Sequence, residues 1–121
     1  MSILLFVMLC LIGSEALAAN HVNDKACLEY VVYREASGEG VLTQKAVYEV
    51  VLNRARILGK SICETVHQEG QFPYVVDGIR KVPKHFVARV EFIKKLPRVL
   101  PDDAWYFNHT KLSYGRFHMK L

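Results

Sequence analysis

The chain reads as a mostly α-helical small domain of about four helices with a short extended segment near its C-terminus, and three observations predict this. Apolar residues recur at helical spacing in three stretches: Leu28, Val31 and Val32; Val47, Val50, Val51 and Leu58; and Phe86, Val87, Val90 and Ile93. Glycine or proline punctuates these stretches, with Gly38 and Gly40 after the first, Gly59 after the second, and Pro83 and Pro97 flanking the last. By contrast, the run Ala104-Trp105-Tyr106-Phe107-Asn108-His109 reads as extended, with alternating faces.

Taken in order, residues 1–18 read as a cleavable export signal. An apolar core from Ile3 to Ile12, too short for a stable membrane anchor, leads to the small-residue site Ala16-Leu17-Ala18. No Lys or Arg precedes the core, and a retained tethering segment is the alternative. Residues 19–121 then form one domain, with one modest core and no stable membrane insertion after cleavage. The formal charge of +4 and pI near 9.0 suit an anionic polymer. Nucleic acid is disfavoured, since the Lys and Arg residues are scattered rather than clustered with stacking aromatics.

The first helix is expected to begin at Asn23 or Asp24, either able to cap it, and to end near Ser37. The second runs from about Thr43, a candidate N-cap, to Leu58, with Gly59 as its stop and Arg54 and Arg56 near its C-terminal dipole. Their short connection makes them an antiparallel pair. Ser61-Ile62-Cys63-Glu64 is a capping box, opening a short third helix that should reach Gln68 or Glu69 before Gly70. Pro83 suits the first turn of the fourth helix, whose Lys84, Arg89, Lys94 and Lys95 read as a solvated face. After export two cysteines remain, Cys27 and Cys63. An even count in an oxidising compartment suggests a bond worth roughly 4 kcal/mol, with two buried free thiols as the alternative.

Glu35 is the anomaly. It continues the spacing of Leu28, Val31 and Val32, so a carboxylate falls on the face that should be buried. A carboxyl group desolvated there resists ionisation and can serve as a general acid. The bland alternative is a helix-end glutamate whose tip reaches water. Around it, Tyr33-x-Glu35-Ala36-x-Gly38-Glu39, then Ala46-Val47-x-x-Val50-Val51-Leu52-Asn53-Arg54, then Gln71-Phe72, together resemble the SleB/CwlJ-type cell wall hydrolase family. The resemblance implies a lysozyme-like, lytic-transglycosylase type of domain that cuts peptidoglycan strands, and it maps the catalytic acid onto Glu35.

The same resemblance moves Gln71 and Phe72 from ordinary loop packing toward a glycan groove, where Gln71 would bind hydroxyls and the rings of Phe72 and Tyr74 would face pyranoses. Glu69-Gly70 stands where the family more often has Pro-Gly. The segment carrying Tyr106 and Asn108 resembles the family's late aromatic motif on the active-site side, and Gly115-Arg116-Phe117-His118 a reduced closing element. Asn53-Arg54 reads either as a helix-end cap with a solvated charge or as a brace for the cleft.

Glu39 is the nearest second carboxylate, and Asp77 another, should the reaction need two. The family implies a route that needs only one. The five histidines show no i, i+4 pair or HExxH pattern, so neither a metal nor any other cofactor is expected. The expectation is an exported monomer in the periplasm or extracellular wall that acts on peptidoglycan, as a lytic transglycosylase with Glu35 as acid then base. The alternatives are a muramidase or glucosaminidase that uses water and a second carboxylate, and a non-catalytic peptidoglycan-binding protein.

Overall fold

The valine-rich run from Val47 to Val51 is too apolar to face water, and the rest of the domain packs around it. A computed structural model describes residues 23–68, 70–107 and 117–119, with backbone alone described for 105–107 and 117–119. The segment expected to be an export signal and Asn108 lie outside the described residues. The domain is small and mostly helical. α1 covers residues 23–36, α2 Val41–Leu58, α3 Ile62–Val66 and α4 Lys84–Lys94, with a 3-10 turn at Pro73–Asp77. Strand β1 (Ala104–Phe107) pairs antiparallel with β2 (Phe117–Met119), in a register that shifts between Ala104 and Tyr106.

α2 is the hub, touching α3, α4 and β1. One side of it, with Val47, Tyr48 and Val51, joins the main core with Leu28, Val31 and Val32 of α1, Val66 of α3 and Phe86, Val90 and Ile93 of α4. Another side, with Ala46 and Val50, joins a smaller cluster with Leu100 and Ala104. Val31, Val32, Val47, Val50, Val51 and Val66 are all fully buried, each contributing on the order of 1.5 kcal/mol or more. A helix enclosed on several sides must bury polar residues too, and α2 buries Gln44, Glu49, Asn53 and Arg54.

Each helix end has a physical cause. Gly59 adopts φ 65° and ψ 33° as the left-handed C-cap of α2, as its position in the sequence suggests. The capping box at α3 is formed: the Glu64 N–H donates to Ser61 Oγ at 3.1 Å, and Glu64 Oε1 accepts from the Ser61 N–H at 3.4 Å. Three boundaries differ from the sequence reading. α2 starts at Val41 with Gly40, not Thr43, as its N-cap, because an extended Gly40 lets the helix begin nearly a turn earlier. α3 ends at Val66, short of Gln68. Asp24 lies within α1, where its Oδ1 accepts the Cys63 N–H at 3.0 Å and so satisfies an orphan donor of α3 instead of its own helix. Beside that contact a Cys27–Cys63 disulfide ties α1 to α3.

Candidate functional site

Glu35 sits on the last turn of α1, one residue before the helix ends, and is half-buried rather than enclosed. The chain then turns sharply. The Ser37 N–H donates to Tyr33 O at 3.1 Å and the Glu39 N–H to Ala36 O at 2.9 Å, closing α1 without a left-handed residue at Gly38 or Gly40. Gln44, buried on α2, donates from Nε2 to Ala36 O at 3.0 Å and to Glu39 O at 3.1 Å, pinning both sides of this turn. Glu35 and Glu39 are thus carried on one braced turn, with Glu39 half-buried.

The 3-10 turn supplies the partner. Phe72 and Val75 are buried in the main core, and between them Tyr74 swings outward, half-buried, to donate its hydroxyl to Glu35 Oε1 at 2.6 Å. Burial pushes the Tyr74 phenol well above its ordinary range; the hydrogen bond to Glu35 and that carboxylate's charge push the same way, and Arg34 opposes them. The phenol therefore stays a donor throughout the neutral range. Its ring meets Tyr30 edge-on at 5.9 Å and Phe72 at 6.2 Å, and the Arg34 guanidinium lies 4.5 Å from its centroid. Arg34 also donates to the Tyr30 hydroxyl at 3.1 Å.

The structure brings Glu35 and Tyr74 together and corrects the reading of Phe72. At 3% exposure, with its ring in the main core, Phe72 anchors the loop instead of lining a groove; an apolar ring next to Val75 gains more from burial than from water. Gln71 is half-buried at the loop's start and Asp77 exposed at its end. Of Tyr106 only the backbone, in β1, is described. Arg54 is buried, with its guanidinium 5.5 Å from the Phe72 ring centroid, which rules out the solvated-charge alternative for it. Grooves of about 480, 450 and 280 Å³ open elsewhere, beside the disulfide, between α1 and α4, and along residues 79–84, and neither Glu35 nor Tyr74 lines them.

A second constellation includes Glu49, which sequence reasoning passed over. Glu49, 3% exposed, accepts the Val99 N–H at 3.0 Å and the Leu100 N–H at 3.2 Å. Asn53, 1% exposed, donates to Pro101 O at 3.0 Å and Ala104 O at 2.9 Å and accepts from Arg98 at 3.0 Å. Together they clasp the 98–104 segment onto α2, so Asn53 braces that segment rather than capping the helix end. The signal was present in the sequence, since a glutamate in the middle of Val47-Tyr48-Glu49-Val50-Val51 is as anomalous as Glu35.

Among the described residues no helix is long and apolar enough to cross a membrane. No curated protein and no solved structure matches the chain. The sequence model described as Cell Wall Hydrolase matches residues 38–118, a span that begins just after Glu35 and takes in Glu39, Asn53, Arg54 and the loop of Gln71 to Tyr74. With about two thirds of its length matched, the chain belongs to the cell wall hydrolase family, hydrolases that act on peptidoglycan.

Proposed function

We propose that the protein is an exported lytic transglycosylase, cutting the glycosidic bond after N-acetylmuramic acid with Glu35 as its single catalytic carboxyl. The observation that carries this reading is the 2.6 Å hydrogen bond from Tyr74 to Glu35 Oε1 on a braced turn. In the first step the protonated Glu35 gives its proton to the glycosidic oxygen, the C1–O bond breaks, and positive charge develops at C1 of the muramic ring. The Tyr74 hydroxyl then stabilises the carboxylate left behind. In the second step that carboxylate takes the proton of the ring's own 6-hydroxyl as O6 bonds to C1, which closes a 1,6-anhydro ring and restores the acid. No water is consumed.

A second reading has Glu39 assist a water molecule, and it is favoured by the position of Glu39 on the same turn and inside the family span. Zymography of wild type and Glu35→Gln, with mass spectrometry of the released fragments, tests both. Clearing that disappears with Glu35→Gln and anhydro ends on the products support the proposal. Reducing ends transfer the second step to water, and full activity of Glu35→Gln ends the role of Glu35. Retention on sacculi without clearing by wild type makes the protein a binder.

A further inference from the structure

Arg34 is exposed yet held in place. A long cation at a helix surface normally samples many rotamers, and ordering it carries an entropic cost. Here the guanidinium lies 4.5 Å from the Tyr74 ring centroid and 5.8 Å from that of Tyr30, and Nη1 donates to the Tyr30 hydroxyl at 3.1 Å. The other bonded surface cations have anionic or carbonyl partners: Arg98 pairs with Asp102 at 2.9 Å, Lys25 with Glu91 at 3.5 Å, and Arg56 bonds to Asp102 O. Among the described residues no carboxylate lies within ion-pair distance of Arg34. Tyr74 is the common neighbour, its ring under Arg34 and its hydroxyl on Glu35.

We propose that Arg34 is a subsite for a carboxylate borne on the 3-substituent of the muramic residue whose glycosidic bond Glu35 cleaves. This deepens the function proposed above and rests on it. The chemistry fits on three counts. Each muramic ring carries its acidic substituent close to the scissile bond, as a lactyl carboxylate or as the carboxylates of a stem peptide. A guanidinium binds a carboxylate through paired N–H donors, and Tyr30 occupies only one of those donors. Stacking on Tyr74 also fixes the fork before substrate arrives, so less freedom is lost on binding.

The test measures kcat and KM on four soluble strand preparations: strands with stem peptides, amidase-stripped strands with free lactyl carboxylates, and each of these after methyl esterification. Wild type should prefer the free acids over their esters, and Arg34→Gln should cut that preference about tenfold through KM, the scale of a charge-assisted bond. The strand type that shows the effect identifies the carboxylate. Arg89→Gln, an exposed cation on α4, should keep the wild-type preference. An unchanged preference in Arg34→Gln overturns the proposal, and so does an equal loss on acids and esters, which would mean that Arg34 acts only through Tyr74. Retention on sacculi in the cold, measured in the Glu35→Gln background with and without Arg34→Gln, reads the subsite apart from catalysis. If Glu35→Gln still cleaves but Arg34→Gln weakens retention, the catalytic reading falls and the subsite stands.

Discussion

Two polar regions lie against α2, and they differ in what their polar atoms face. In the clasp, Glu49 and Asn53 are almost fully buried and bond chiefly to backbone groups of residues 99–104, with the Arg98 side chain bonded to both. At the end of α1, Glu35 and Tyr74 are half-buried, Arg34 is exposed, and the bonds run from side chain to side chain. Buried acceptors aimed at main-chain N–H groups are architecture, since breaking them strands groups that water cannot reach. Half-buried side chains that hold one another in place suit the ligand site proposed above, and on that proposal disturbing them should cost function before it costs folding.

The largest test of that contrast sets Glu35→Gln against Glu49→Ala. Acid–base assistance is worth on the order of 10² to 10⁴ in rate, so Glu35→Gln should lose that much activity on sacculi while melting within a few degrees of wild type. Glu49→Ala should do the reverse. It leaves the Val99 and Leu100 N–H groups without their acceptor, at about 3 kcal/mol together, and should keep its activity per folded molecule. If Glu49→Ala melted like wild type but was inactive, the two regions would have exchanged roles.

Next in size is the disulfide. Closing a loop with a sequence separation of 36 stabilises by roughly 4 kcal/mol on the chain-entropy model, so melting with and without reductant should differ strongly. Cys27 lies about 12 Å along α1 from Glu35 by helical rise, and a Cys27→Ala, Cys63→Ala variant should be less stable while turning over normally in the cold. Labelling of the unfolded, unreduced chain should find neither thiol, and labelling of both would remove the bond from the account.

Most helices and the Cys27–Cys63 pairing could be read from the sequence, because periodicity, Gly59, Pro83 and the Ser61 capping box are local signals that tertiary packing did not oppose. What was hidden lay in the depth of burial. In sequence Val47, Val50 and Val51 form one apolar stripe, but Val47 and Val51 face the main core while Val50 faces a second cluster with Leu100 and Ala104, and Arg54, 5.5 Å from the Phe72 ring centroid, is buried as well. Phe72 differs from its sequence reading for a similar reason: an aromatic beside Gln71 serves a sugar or a core equally well in sequence, and only the fold at Val75 decides. In sequence Tyr74 reads as a ring for sugars. That its hydroxyl reaches Glu35 depends on a contact across 39 positions of sequence, which spacing cannot reveal.

The smallest effect is the sharpest for the site, because it separates the two things Tyr74 does. Tyr74→Phe removes the hydroxyl from Glu35 but keeps the ring under Arg34, whereas Tyr74→Ala removes both. Losing one partly buried hydrogen bond costs about 1 kcal/mol, so Tyr74→Phe should lower kcat about fivefold with KM nearly unchanged. The hydroxyl of the wild-type protein remains protonated through the neutral range, so no activity should be lost there by its ionisation. Tyr74→Ala should show the same fall in kcat and, in addition, lose part of the preference for acidic strands, because Arg34 no longer rests on a ring. Equal behaviour of the two variants on acidic and esterified strands would mean that the ring does not position Arg34. An unaltered kcat in Tyr74→Phe would mean that the 2.6 Å contact holds the loop and takes no part in the proton's path.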